Sequence, residues 1–428
     1  MNKEIGYLKS HPAEMFYLAL TEMSQRFAFW GVGNILVLYL VQYFHFTDAS
    51  ATHLYGLYTG VSFVLPLFGG YLADRWNYSS PVWSGMIASA LGCFCIGTAL
   101  EPLLYVGLIL IGLGGCVFTP CVYSLLNRFY KEKHHLRTTG FSIYYAGVNI
   151  GTFVGMIALG PLVLYNYWKT VFCIAGLVQL LGLFAFRKVN ELIKEEHLSV
   201  FKERVKEKAE MISRTSLHRI AVILVVSFFS IVFWAAYNQQ FSSIVLFALN
   251  YTDLQCLGFT IPIPWIITSQ TFFLVILAIP LSSLYLFLKK HHLELSPPTK
   301  MALSFIATAI CFGLIVLASR HIPGASPLYL ISGFFFMAIA ELLIAPIGLA
   351  FVTKLSPKKM TAFFVGVYYL CIGVGFYLGG WLAGFMQKEH VGEFFLKFGI
   401  VVLVTGLILL SLAKTLTRFS HQNKVDAL

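Results

Sequence analysis

The chain has 428 residues, of which 58% are hydrophobic and 11% charged, and its formal net charge is +11. A soluble domain of this length carries roughly 25% charged residues, so the composition excludes a water-soluble globular protein. It leaves a polytopic membrane protein with little room for a soluble domain.

Apolar runs long enough to cross a bilayer, roughly 20 residues each, recur along the whole chain. Twelve spans are predicted, at 14–43, 53–76, 81–100, 102–129, 137–164, 168–187, 218–249, 263–289, 299–320, 326–354, 359–387 and 394–416. The first run is too long for the core of a signal peptide and is read as a retained span. The lengths exclude a β-barrel, whose strands are about half as long. Between spans six and seven lies a charged linker, 188–217. Within it Leu198, Phe201, Val205, Ala209 and Ile212 recur at three and four residues, the pattern of an amphipathic helix on the inner membrane surface or of a solvated connector helix.

Lys and Arg set the orientation. With both termini cytoplasmic, 25 of the 30 basic residues fall in inside segments. Four, Lys169, Arg320, Lys388 and Lys397, fall outside, and Arg26 lies within a span. The positive charge therefore faces anionic lipid headgroups rather than nucleic acid. Six plus six spans around a charged cytoplasmic linker resemble the layout of the major facilitator superfamily, in which two bundles rock about a midplane site. The expected fold is all-α: an N-terminal six-helix bundle (1–187), the linker (188–217) and a C-terminal six-helix bundle (218–428).

The ionisable residues deep within spans are Glu22, Arg26 and Glu341. A lone charge at the bilayer centre costs roughly 2.5–3.5 kcal/mol on insertion scales, so such groups face a wet cavity or one another. Glu22 and Arg26 are four residues apart and share a helix face with Trp30 and Asn34; they form either a functional pair or a structural one. Glu341, in "MAIAELLIAPIGLAF", has no basic neighbour in sequence. It is a functional candidate or a protonated core residue. In span five, Gly147, Gly151 and Gly155 form a stripe for close helix contact, with Ser142, Tyr145, Asn149 and Thr152 beside it. Span seven offers Trp234, Asn238 and Ser242 at four-residue steps. In "GGYLADRW", Asp74 and Arg75 close span two, where a carboxylate can accept from a neighbouring helix N-terminus and latch one state. The eight cysteines show no metal-ligand or disulfide spacing, and the His134–His135 and His291–His292 pairs sit in loops beside lysines.

These residues together resemble the proton-dependent oligopeptide transporter family. "EMSQRFAFWG" resembles its first-helix motif ExxERFxYYG, and "GFSIYYAGVNIGTF" its fifth-helix pattern FYxxxNxG. "FWAAYNQQFSS" and "ELLIAPIGLAFVTKLSPKKM" resemble its seventh and tenth helices. The likeness runs in order from His11 to Trp381, with a linker shorter than in members that insert two extra helices there. The resemblance implies inward proton flow coupled to uptake of di- and tripeptides. Arg26 would bind the peptide carboxylate, Asn149 and Glu341 its amino group, and Trp30, Trp234, Asn238 and Gln270 would line the site. Glu22, Arg26 and Glu341 would carry the coupling. The implied partners are a small peptide or other zwitterion, protons and membrane lipids; no cofactor, metal or nucleic acid is expected, and the chain is read as a monomer in the cell membrane.

The chain departs from the family pattern at several charges. Gln25 stands for the motif's second glutamate, Gly33 for an arginine, Thr119 for the fourth-helix lysine and Asn238 for the seventh-helix acid. Phe29 and Trp30 replace tyrosines, and Gln270 replaces an asparagine. These departures keep a second reading open, a proton-independent carrier of another small amine or zwitterion. A third, a sensor or scaffold without flux, has no soluble domain to support it. No Ser-His-Asp or metal constellation suggests an enzyme.

Overall fold

The computed structural model describes residues 11–67, 69, 79–130, 136–195, 214–256, 258–357 and 360–421. These fold into helices α1 (Ala13–Gln42), α2 (Asp48–Val64), α3 (Ser79–Gly97), α4 (Glu101–Phe129), α5 (Arg137–Leu164) and α6 (Trp168–Glu195). They are followed by α7 (Arg214–Asn238), α8 (Ser243–Tyr251), α9 (Ile263–Lys290), α10 (Pro297–Ser319), α11 (Pro327–Leu355), α12 (Thr361–Ala383) and α13 (Val391–His421). Among the described residues, ten segments are long and apolar enough to cross a membrane, with α7 and α8 joined as one. The helix α1 is 30 residues long, but Glu22, Gln25, Arg26 and Asn34 lower its hydropathy. The helix α2 has 17 described residues. These segments match the twelve predicted spans in order. Asp74, Arg75 and the linker positions Leu198, Phe201, Val205, Ala209 and Ile212 lie outside the described residues.

The helices group into two compact units, Met1–Ile35 with Val64–Ala209 and Leu36–Phe63 with Glu210–Leu428. In the first, α3 packs along α4 through glycines: a Cβ at Gly85 would lie 2.6 Å from the Gly114 carbonyl, and one at Gly92 equally close to that of Gly107. Water does not drive helices together inside a bilayer, so such small residues, which let backbones touch, supply the contact. Met15, Leu18, Met86, Phe118, Leu125 and Phe186 fill the core. The Gly147, Gly151 and Gly155 stripe of α5 faces Ala19, Met23 and Phe27 of α1, as the sequence led us to expect.

In the second unit α12 meets α2 and α7 at glycines: Gly380 faces Gly56, while Gly375 faces Trp234 and Gly379 faces Asn238. Span seven is not one continuous helix. A 3₁₀ turn, Gln239–Phe241, separates α7 from α8. Buried polar side chains bind the break: Gln239 Nε2 donates to the carbonyls of Ala235 at 3.0 Å and Gly379 at 2.8 Å, and Ser243 Oγ donates to Gln239 Oε1 at 2.6 Å. In hydrocarbon, a freed backbone turn persists only where side chains or neighbours satisfy it. A short hairpin, β1 (Gln255–Cys256) paired with β2 (Phe259–Thr260), precedes α9. None of the eight cysteines is in a disulfide; Cys173 and Cys256 are exposed, whereas Cys93, Cys116, Cys121 and Cys311 are buried.

Candidate functional site

In the first unit the site is built on α1. Glu22 is fully buried, and each oxygen of its carboxylate has a donor. Arg26 Nε donates to Oε1 at 2.6 Å, and the Tyr144 hydroxyl of α5 donates to Oε2 at 2.6 Å. Helical spacing explains the first bond: residues i and i+4 lie on one face. The second crosses 122 residues of sequence and depends on the α5 glycines holding that helix against α1. The Arg26 side chain retains 17% exposure. Tyr123 of α4 stands edge-on to Tyr144, ring centroids 5.7 Å apart. A charge pair buried in this way is tolerated because its lone pairs are also hydrogen-bonded.

The neighbouring positions behave differently. Gln25, where the family motif has a second acid, accepts from the Gln179 amide of α6. Trp30 is half-buried and stands edge-on to Phe29. Asn149 turns back on its own helix, its Nδ2 donating to the Tyr145 carbonyl at 2.9 Å. Thr152 does the same to Val148.

In the second unit the site is built on α11. Glu341 Oε2 accepts from the Tyr237 hydroxyl of α7 at 2.9 Å and from Gln270 Nε2 of α9. Among the described residues it forms no ion pair. Both of these donors are neutral, so an ionised Glu341 would be hydrogen-bonded without a cationic partner among the described residues. Aromatic rings surround Tyr237: Trp234 lies edge-on at 5.1 Å, Phe241 at 5.9 Å and Phe376 at 6.2 Å, with Trp234 stacked on Phe376. Asn238 is fully buried beside Gly379, its Oδ1 accepting from Ser242 Oγ at 3.2 Å.

Of the residues singled out from the sequence, the structure thus joins Glu22 with Arg26, and Gln270 with Glu341. Trp234 adjoins the second pair through Tyr237. Asn149 bonds within α5 and Asn238 packs on α12. Sequence reasoning missed Tyr144 and Tyr237. The available signal was chemical: a tyrosine deep in an apolar span requires a partner for its hydroxyl, and a deep carboxylate is the acceptor most in need of a donor.

The family model described as "Major Facilitator Superfamily" matches residues 18–290, and that of the "POT family" matches 187–401. The "Peptide transporter YePEPT" of Yersinia enterocolitica subsp. palearctica is 25% identical, over 97% of this chain and 96% of that protein. The "Dipeptide and tripeptide permease A" of Escherichia coli is 24% identical, over 96% and 94%. Among solved structures, a peptide transporter POT in complex with sulfate superposes with a TM-score of 0.86 at 22% identity, covering 96% of each chain. A POT family transporter in complex with 5-aminolevulinic acid superposes at 0.84 and 19%, covering 95% and 97%.

Proposed function

The chain belongs to the POT family of the Major Facilitator Superfamily, and on that premise we propose that it is a proton-coupled symporter of di- and tripeptides working by alternating access. It is a multi-pass membrane transporter of the plasma membrane, not an enzyme. We assign both termini to the cytoplasm, from the distribution of Lys and Arg, and a monomeric chain as the working unit.

The observation that carries the reading is the contrast between the two deep carboxylates. Glu22 has a cationic partner, Arg26, at 2.6 Å. Among the described residues, Glu341 has the neutral donors Tyr237 and Gln270 and no cationic partner. Each unit offers a group suited to one end of a peptide zwitterion: in the second, Glu341 suits an ammonium; in the first, the Arg26 guanidinium, whose planar fork suits carboxylates, can be competed for by a carboxylate. In this reading Trp30 and Asn149 of the first unit and Trp234, Asn238 and Gln270 of the second bind substrate, Asn149 at the peptide amino group, and Asp74 with Arg75 latches one state.

Coupling follows from competition. When the peptide carboxylate engages Arg26, Glu22 gives up its cationic partner and becomes the acceptor for a proton. It takes a proton from the outer face and releases it inside once the Arg26 pair re-forms. One charge moved across 100 mV is worth about 2.3 kcal/mol, or roughly 50-fold accumulation. Proteoliposome uptake tests the step. Wild type should accumulate dipeptide under an inward proton gradient, and Glu22→Gln should lose the dependence on that gradient. Equal, gradient-responsive uptake by Glu22→Gln would refute it.

The neutral Gln25–Gln179 amide pair, together with Thr119 at the family's lysine position, favours a second reading: carriage of another small amine or zwitterion without protons. Lumenal acidification during uptake separates the two, since only symport produces it.

A further inference from the structure

We propose that Tyr144 is a positioning residue of proton coupling: its hydroxyl holds Glu22 from α5, and their hydrogen bond exchanges donor and acceptor when Glu22 is protonated, so that α5 registers the protonation state of α1. The inference rests on the reading of Glu22 as the proton carrier and adds the partner through which the proton is felt.

The geometry is specific. Tyr144 is 1% exposed and Glu22 fully buried, and their bond at 2.6 Å joins two helices. Among the described residues, the titratable and charged groups facing Glu22 are Arg26 on its own helix, Tyr144 from α5 and, beyond that ring, Tyr123 from α4. The α6 residue Gln179, bonded to Gln25, does not titrate. The FYxxxNxG pattern has phenylalanine where Tyr144 stands, so this hydroxyl is an addition in a chain that has Gln25 and Thr119 at positions where the family carries charges.

An ionised carboxylate only accepts hydrogen bonds, so the Tyr144 O–H must donate. A proton arriving on Oε2 meets that O–H head-on. The phenol then turns its hydrogen away and accepts the carboxyl O–H through its oxygen. The proton comes from the outer aqueous phase and stays on Glu22; Tyr144 keeps its own proton and changes only its direction. Backbone contact at Gly151, where a Cβ would lie 2.5 Å from the Met23 carbonyl, holds α5 close against α1 beside this bond.

The experiment is the pH profile of dialanine transport in proteoliposomes, by gradient-driven uptake and by peptide exchange at equal pH. Tyr144→Phe removes the donor and keeps the ring. A neutral donor favours the ionised carboxylate. Its loss should move the uptake midpoint to higher pH by about one unit, the size expected for a hydrogen bond to a charged group. In the Glu22→Gln background the same substitution should add no shift. An unmoved midpoint in Tyr144→Phe, or an equal shift without Glu22, overturns the proposal while leaving peptide symport standing. If Tyr144→Phe does not insert, 3-fluorotyrosine at position 144, a near-isosteric stronger donor, should move the midpoint to lower pH, and no movement overturns the proposal. A wild type that neither takes up nor exchanges any peptide refutes the symport reading and this inference with it, an outcome distinct from the others because the parent protein is itself silent.

Discussion

The α1–α5 interface makes a graded prediction. An alanine Cβ at Gly147 would lie 3.5 Å from the Ala19 Cβ, an ordinary contact. At Gly155 it would lie 3.2 Å from the Phe27 carbonyl and 3.3 Å from its Cα. At Gly151 it would lie 2.5 Å from the Met23 carbonyl oxygen and 2.7 Å from its Cα. Optimal separations are about 3.5–4.0 Å, so Gly151→Ala is short by about 1 Å against backbone that cannot rotate aside. Overpacking of this kind costs about 1–3 kcal/mol, offset by the roughly 0.5–1 kcal/mol that alanine gains over glycine in a helix. The expected order is Gly147→Ala neutral or slightly stabilising, Gly155→Ala near neutral, and Gly151→Ala destabilising by about 1–2 kcal/mol. At roughly 2–4 °C per kcal/mol for a unit of this size, Gly151→Ala should lower the melting temperature of the purified protein by several degrees. Gly147→Ala should not. If Gly147→Ala proves as harmful as Gly151→Ala, the damage reflects glycine flexibility rather than helix contact, and the reasoning fails.

Glu341→Gln should weaken dipeptide binding by roughly 10- to 150-fold, as for loss of a charge-assisted bond of about 1.5–3 kcal/mol. Acetylating the peptide's amino group should weaken wild-type binding comparably, and the two losses should not add; titration calorimetry showing full additivity would remove Glu341 from the ammonium site. Arg26→Gln should likewise cost at least about tenfold for a free-acid dipeptide and make the protein indifferent to C-terminal amidation, and continued discrimination between acid and amide would place the carboxylate elsewhere. Gln239→Leu strips the Gly379 carbonyl and Ser243 hydroxyl of their shared partner and should cost about 1–3 kcal/mol of stability. A melting curve that overlays the wild type would show that the helix-seven break does not depend on that side chain.

The span count, their order and the α5 glycine stripe were legible because the bilayer imposes length and hydropathy on each segment independently of its neighbours. The interruption after Asn238 was not. Nothing in "YNQQFSSIVLF" lowers hydropathy enough to end a span, and no proline marks the site. Helix α12, running past Asn238 with Gly379 at the contact, supplies a carbonyl for Gln239, so the break is stabilised by a partner 140 residues away. Conversely, prolines do sit inside helices at Pro120, Pro161, Pro280 and Pro346 without ending them.

The site divides along the same line. The Glu22–Arg26 bond follows from four-residue spacing, and spacing alone was enough to find it. The Gln270–Glu341 bond joins α9 to α11, and its two residues emerged singly, one as a deep carboxylate and one from the resemblance; only packing brought them together. Tyr144 and Tyr237 carried no local signal, for a tyrosine in a span reads as an aromatic filler until its hydroxyl is assigned an acceptor. Yet each carboxylate has one of its hydrogen bonds from such a hydroxyl. A deep carboxylate is the group hydrocarbon tolerates least, so its depth alone requires donors. Glu341 lacks a nearby base in sequence and so depends on donors from other helices, which here are a phenol of span seven and an amide of span eight.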